Sequence, residues 1–212
     1  MGVFYEKGYD AASLQEIADR IGILKGSIYY YINTKADLRD QLLADVHHNG
    51  IAMISRRAEV EGTAMDKLEA MIRGHIDYVC RNLEKTTVYL QELKKLSSAE
   101  RSALLGSETY RDVFLKVIVQ GQREGLILSS LDPKLTAQAM LGALNSVYQW
   151  YKPRRNHGAD NVADHFVTTI LRGHASEKGL RSLASASTAR RGDGSAKRPR
   201  DRLAAKKQNA AS

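Results

Sequence analysis

Lys25, Gly26, Ser27, Tyr29, Tyr30, Tyr31, Thr34 and Lys35 gather two cations, several hydroxyls and one side-chain-free backbone position into a short stretch. These groups suit an anionic polymer. Lys and Ser can reach base edges in a DNA groove, tyrosine hydroxyls can hold phosphates, and a glycine lets the backbone approach closely. Bond-making chemistry finds far less to work with. The six histidines fall at 47, 48, 75, 157, 165 and 174, and no H-E-x-x-H, G-x-S-x-G, Walker or G-x-G-x-x-G string occurs. Cys80, the one cysteine, stands five residues from His75, so thiol and imidazole fall on different faces of a helix. A lone cysteine also rules out a Cys-based zinc cage and an internal disulfide. No catalytic activity, metal or cofactor is expected.

A groove-reading stretch needs elements to hold it. Ser13-Leu-Gln-Glu16 is a capping box, after which Leu14, Ile17, Ala18 and Ile21 share a helix face and Gly22 ends the helix. A short helix follows from Lys25 to about Ile32, and Ile23, Ile28 and Ile32 can meet the first helix across a small core. Ala18 lets the two cross closely. Two short helices joined by a Gly-containing turn make a helix–turn–helix, whose second helix offers an N-terminus with free N–H groups to phosphates. Thr34-Lys-Ala-Asp37 repeats the capping pattern, and Leu38, Leu42 and Val46 continue it as a helix. Further helices are predicted over 64–83, 88–96, 99–125 with a break at Gly106, 133–151 from the Asp132-Pro133 start, and 160–174 from Asp160. With only 3 prolines and no alternating strand pattern, the fold class is all-α.

The string SLQEIADRIGILKGSIYYYINTKADLRDQLL (13–43) resembles the DNA-binding segment of TetR-family transcriptional regulators. Their pattern is a Ser/Thr-capped helix with Ile-Ala, a Gly turn, a Gly-containing recognition helix with a Tyr-x-x-aromatic end, then Ser/Thr-Lys-acidic-x-Leu. The resemblance implies that Ser13 caps its helix and holds a phosphate, and that Lys25, Gly26 and Ser27 lie in the major groove. It implies a partly buried Tyr29, a DNA-backbone contact from Tyr30 or Tyr31, and a phosphate anchor in Lys35 beside Thr34. Two positions depart from the pattern: Ile32 replaces the usual aromatic, and Leu24 stands where many members carry a capping Ser or Thr. Members also have a longer first helix behind a basic arm. Only MGVFYEKGY stands here, so the first helix is expected to be truncated, with Phe4 still packing on the helix–turn–helix core.

The remaining helices resemble the TetR-family ligand and dimerisation domain. The resemblance implies a homodimer paired through helices 133–151 and 160–174, reading an inverted-repeat double-stranded DNA operator whose half-sites lie about 34–36 Å apart or a multiple of that. On the later helix, Val162/Phe166/Ile170 and Ala163/Val167/Leu171 form two apolar rows, one for the core and one for the partner, unless both are buried in the protomer. A small-molecule effector has candidate contacts in Tyr78, Tyr89, Tyr110, Phe114, Asn145, Tyr148 and Trp150, each with core packing as its competing role. The segments YLQELKKL, REGLILSSLDPKL and SVYQWYKP are similar to the branch that represses steroid and lipid catabolism and senses acyl-CoA thioesters. That likeness implies an acyl-CoA effector whose phosphates meet Lys94, Lys95, Arg123 or Lys152, with plain surface charge as the alternative.

Net charge qualifies this picture. Of the formal +8, seven charges lie between Ser176 and Ser212. Residues 1–46 hold five basic and seven acidic side chains, a net of −2, so DNA affinity is expected to be weak unless the C-terminal end contributes. That end has no aromatic residue and little to bury, and it is predicted as a disordered basic tail over 179–212. It serves either as a solubilising end or as a nonspecific DNA-binding arm. The expected domains are a DNA-binding head over 1–46, a ligand and dimerisation body over 47–178, and the tail. An architectural DNA-binding protein without ligand control, led by the tail, is the rival reading. No membrane span or signal peptide is evident, so a cytoplasmic location is expected.

Overall fold

Side-chain caps set most of the helix starts. The computed structural model describes residues 1–106, 109–153 and 158–193, with 186–193 as backbone alone. Among them it forms twelve helices: α1 (Gly2–Ala11), α2 (Leu14–Ile21), α3 (Lys25–Ile28), α4 (Lys35–Ala58), α5 (Ala64–Arg81), α6 (Leu83–Lys95), α7 (Ser98–Leu105), α8 (Tyr110–Arg123), α9 (Pro133–Asn145), α10 (Val147–Trp150), α11 (Ala159–His174) and α12 (Glu177–Asp193). Ser13/Glu16 and Thr34/Asp37 close the two expected capping boxes, and Thr63/Asp66, Ser97/Glu100 and Thr109/Asp112 close three more. In each, the side chain satisfies a backbone donor that the first helical turn leaves unpaired.

α2 ends at Gly22, whose φ of 73° gives the left-handed turn. The Ile23 N–H then reaches the Ala18 carbonyl at 3.0 Å and the Gly22 N–H the Asp19 carbonyl at 3.2 Å, a paired closure that aims the chain into α3. Ala18, Ile28 and Ile32 bury the crossing, flanked by Leu14, Ile17, Ile23 and Leu38. Ile21, expected on this face, is 60% exposed instead, because the turn begins right after it. Phe4 packs as expected towards Ile17 and Leu38, and it shares its cluster with Val88 of α6. The head is thereby stitched to the body through α1.

α4 is a single helix of 24 residues, about 36 Å long, that starts in the head and ends in the body. The expected domain boundary at residue 46 thus falls inside a continuous helix. α5 lies at the centre of the body, against α4, α6, α8, α9, α10 and α11. Ile72, Ile76, Phe114, Ile118, Met140, Leu144 and Leu171 fill the interior around it. No helix among the described residues is long and apolar enough to cross a membrane.

Four expectations need correction. α3 stops at Ile28, and the tyrosines continue as hydrogen-bonded turns (Tyr31 N–H to the Ile28 carbonyl, 3.0 Å), since the extended Thr34 cap leaves no room for another helical turn. The helix over 133–151 is split at Ser146, whose hydroxyl donates back to the Ala143 carbonyl at 2.7 Å. α11 starts at Ala159 with Gly158 as its cap, one residue before the expected Asp160. Residues 177–193 are helical, against the predicted disorder from 179. Ser176 caps α12 by accepting the Gly179 N–H, and its own hydroxyl donates to the Gly125 carbonyl. Lys178 donates to the Glu124 carbonyl at 2.8 Å, and Leu183 packs on the main core. Gly179 is required there, because a Cβ would come within 2.1 Å of the Leu126 carbonyl oxygen. Glu124 also accepts from the Ala64 N–H, so α12 starts beside the α4–α5 turn, at the far end of the body from the head. The rest of the predicted tail, 194–212, lies outside the described residues.

Candidate nucleic-acid interface

The helix–turn–helix presents a surface of unspent polar groups. Tyr30 and Tyr31 are 88% and 79% exposed, Tyr29 keeps about half its surface, and Lys25 and Gly26 are exposed beside them. Ser27 is half-buried. A Cβ on Gly26 would meet nothing within 4 Å, and its φ is not positive, so the fold itself has no need of glycine there. The bare backbone leaves this end of α3 open to close approach from outside. Ser13 and Thr34 spend their side chains as caps, each hydroxyl accepting the N–H three residues on.

Most of the head's cations are already engaged. Lys7 pairs with Glu16, Arg20 with Glu6 and Arg39 with Asp40. Lys7 first, then the Ser13 N–H and hydroxyl, bring the Glu16 carboxyl down to about 2. Lys35, expected to anchor a phosphate, points inward: its ammonium donates to the carbonyls of Tyr9, Asp10 and Ala12 at 3.0, 3.1 and 3.0 Å. Among the described residues, Lys25 is the one cation of the head with neither an ion pair nor a hydrogen bond.

Where head and body meet, an open cavity of about 420 Å³ runs along α4, lined by Met1, Leu42, Asp45, Val46, Asn49, Met53 and Arg56 on one side and Tyr78, Asn82 and Lys85 on the other. Of the expected effector contacts, Tyr78 alone lines it. Tyr89 hydrogen-bonds His47 Nδ1 at 2.9 Å and Tyr110 hydrogen-bonds His75 Nδ1 at 3.1 Å, while Phe114 is fully buried and stacked on Tyr110. Burial pushes the Tyr89 hydroxyl up to about 12 and raises those of Tyr78 and Tyr110. Asn145 is half-buried at the end of α9, and Trp150 stacks on Phe166 at the surface. Tyr148 takes a hydrogen bond from Lys94, and Lys95 pairs with Glu92 and Asp10, so neither Lys94 nor Lys95 of the expected phosphate set is free. Arg123 and Lys152 lie away from the cavity, whose cations are Arg56 and Lys85. Sequence reasoning missed both. Arg56 could have been found from the stripe Leu42, Val46, Asn49, Met53 and Arg56 on one face of α4, whereas Lys85, on α6, carried no such signal.

The family described as bacterial regulatory proteins, tetR family, matches residues 1–42, and the tetracyclin repressor-like C-terminal domain matches residues 61–174. The chain belongs to the tetR family. The repressor KstR2 of Rhodococcus jostii RHA1 is 25% identical over 82% of this chain and 86% of its own length. The structure of the ketosteroid transcriptional regulator KstR2 of Mycobacterium tuberculosis shares the fold with a TM-score of 0.75 at 23% identity, covering 83% of this chain and 91% of that one. That of AibR in complex with isovaleryl coenzyme A and operator DNA does so with a TM-score of 0.69 at 23% identity, covering 80% and 92%. The KstR2 proteins are transcriptional regulators, as is this chain.

In this tetR-family regulator both apolar rows of α11 turn inward except at Phe166, which stays half-buried beside Trp150. Val162, Ala163, Val167, Ile170 and Leu171 are buried within the protomer, because α11 lies along the length of α5. What α9, α10 and α11 leave exposed is Leu135 at 71%, Trp150 at 49% and the Phe166 ring stacked on it. Among the described residues no group of three or more His, Cys, Asp and Glu side chains could hold a metal ion.

His75 gives the regulator a stability that depends on pH. Burial lowers its ring from the ordinary 6.5 to about 4; Nε2 makes no well-formed hydrogen bond, and the Leu144 carbonyl only opposes the shift. The folded protein therefore keeps His75 neutral while the unfolded chain takes up a proton. Stability from this group is whole above pH 6.5, falls as pH drops towards 4 and levels below it, by about 3 kcal/mol in all. Urea unfolding at neutral pH and near pH 4.5 should show that loss in the wild type and much less of it in His75→Gln. Equal losses in both proteins would remove His75 as the cause.

Proposed function

We propose that this regulator is a cytoplasmic homodimeric repressor that holds an inverted-repeat operator until a small-molecule effector, an acyl-CoA thioester, releases it. One observation carries the ligand response: α4 starts under the reading head, and its middle forms one wall of the 420 Å³ cavity. A ligand that favours a wider cavity must displace the helix on which the head is mounted. DNA affinity then falls by as much as the ligand discriminates between the two arrangements.

Lys25, Gly26, Ser27 and the tyrosines supply the DNA-facing surface, with Ser13 and Thr34 fixing the helices behind it. Leu135, Trp150 and Phe166 supply the apolar patch for the partner subunit. The thioester assignment draws on the cavity's mixed chemistry, apolar Leu42, Val46, Met53 and the Tyr78 ring beside polar Asp45, Asn49 and Asn82, with Arg56 and Lys85 at hand for phosphates. Neither cation is ion-paired or hydrogen-bonded among the described residues. The AibR structure, with isovaleryl coenzyme A and operator DNA, supports the same class.

The test is release of a labelled duplex. An inverted repeat found upstream of the gene, or selected with the protein from a random pool, is titrated with isovaleryl coenzyme A, coenzyme A and isovalerate. Release by the thioester and not by the free acid is the expected result. Release by free acids alone, or no release by any coenzyme A ester of a longer-chain panel, would overturn the assignment.

A further inference from the structure

We propose that Lys35 is a positioning residue: it locks residues 9–12 against the start of α4 and so sets the angle at which the head meets DNA, without contacting a phosphate itself. This rests on the DNA-binding reading above. The geometry comes from where α1 ends. Gly8, at φ 79° and ψ 162°, interrupts the helix, so Tyr9 to Ala12 form a short strap of their own. The strap's carbonyls have lost their usual donors. The Ser13 N–H, which would otherwise serve the Tyr9 carbonyl, goes to the Glu16 carboxylate at 2.9 Å.

One ammonium group fills the gap. Lys35 has three N–H donors, and the carbonyls of Tyr9, Asp10 and Ala12 take all three at 3.0 to 3.1 Å. The same nitrogen lies 4.6 Å from the centre of the Tyr9 ring, which adds a cation–π contact. A helix C-terminal end also favours a cation through its partial negative charge. The strap is gripped from its other side as well, where the Asp10 carboxylate accepts from Lys95 of α6 at 3.1 Å. A phosphate could claim Lys35 only by breaking bonds that hold the head together.

The distinction is testable because a phosphate anchor and a carbonyl clamp respond differently to arginine. A guanidinium matches phosphate as well as or better than an ammonium does, but its planar fork cannot converge on three carbonyls around one nitrogen. Binding is measured to a duplex selected with the wild-type protein, over a series of salt concentrations. Lys35→Met and Lys35→Arg should both lose about tenfold or more in affinity, with the slope of log affinity against log salt unchanged. An Arg variant that binds like the wild type would overturn the proposal. So would a slope lowered by about 0.9 in the Met variant, the signature of one lost phosphate contact, or a Met variant of full affinity.

A measurement on the unaltered chain guards against variants that fail to fold. The nitrogen resonance of the Lys35 ammonium should stay in place when duplex is added, while that of Lys25 moves. Movement of both together would identify Lys35 as a phosphate ligand.

Discussion

Lys25→Ala lowers affinity for the operator by about tenfold to a hundredfold and takes about 0.9 off the salt slope. The size of the effect follows from a shortage. Residues 1–46 contain five basic side chains, and Lys7, Arg20, Lys35 and Arg39 are committed to Glu16, Glu6, the Tyr9, Asp10 and Ala12 carbonyls and Asp40. Lys25 is left, on the outer face of α3 beside exposed tyrosines, in a head whose net charge is −2. Removing it leaves no uncommitted cation among the described residues of the head, so no neighbour can compensate. Lys7→Ala is the control, since it removes one partner of an exposed pair and should cost little. Fluorescence anisotropy of a labelled duplex at several salt concentrations reads both quantities. An unchanged slope in Lys25→Ala would show that Lys25 does not face DNA.

Phe114→Ala destabilises the folded chain by about 3–5 kcal/mol, the usual range for emptying a phenylalanine site in a core. In a chain of this size that lowers the melting temperature by on the order of 10 °C. Phe114 has no exposed surface and sits in the main core, with its ring centre 5.9 Å from that of Tyr110. Tyr110 is held in turn by His75, so the cavity would open beside a buried polar pair that cannot collapse to fill it. The residue was a candidate for touching the effector, and the two roles separate cleanly. A pocket residue can be truncated at small cost to the fold, and the loss appears in ligand affinity. Thermal unfolding within a few degrees of the wild type would return Phe114 to the list of effector contacts.

What the sequence made legible was local. The Ser13/Glu16 and Thr34/Asp37 boxes and the Gly22 turn depend on residues three or four apart, and all three form as expected. The Thr63/Asp66, Ser97/Glu100 and Thr109/Asp112 boxes carry the same signal and could have been read in the same way. Pairings across the chain left no such trace. His47 meets Tyr89 and His75 meets Tyr110 only because α4, α6, α5 and α8 stack together. Lys35 is the clearest case, because the string around it matches a phosphate-binding pattern and says nothing of three carbonyls more than twenty residues earlier. The tail reading failed partly for a similar reason. Its composition is poor in apolar residues, but Ser176, Lys178, Gly179 and Leu183 find a seat on the 124–127 turn that no count of hydrophobic residues reveals.

The continuity of α4 bears on how such a regulator can be rebuilt. With no hinge between its two ends, the helix acts as a stiff shaft, and the number of residues along it becomes part of the specificity. One residue inserted near Asn49 would turn the head by about 100° and advance it by about 1.5 Å. In a dimer the two heads would turn about symmetry-related axes, so the phase of the half-sites they read would change even with every DNA-facing side chain intact. A head grafted from a relative therefore has to be joined in helical register along α4, and the natural choice of operator is encoded as much in that count as in the residues that touch the bases.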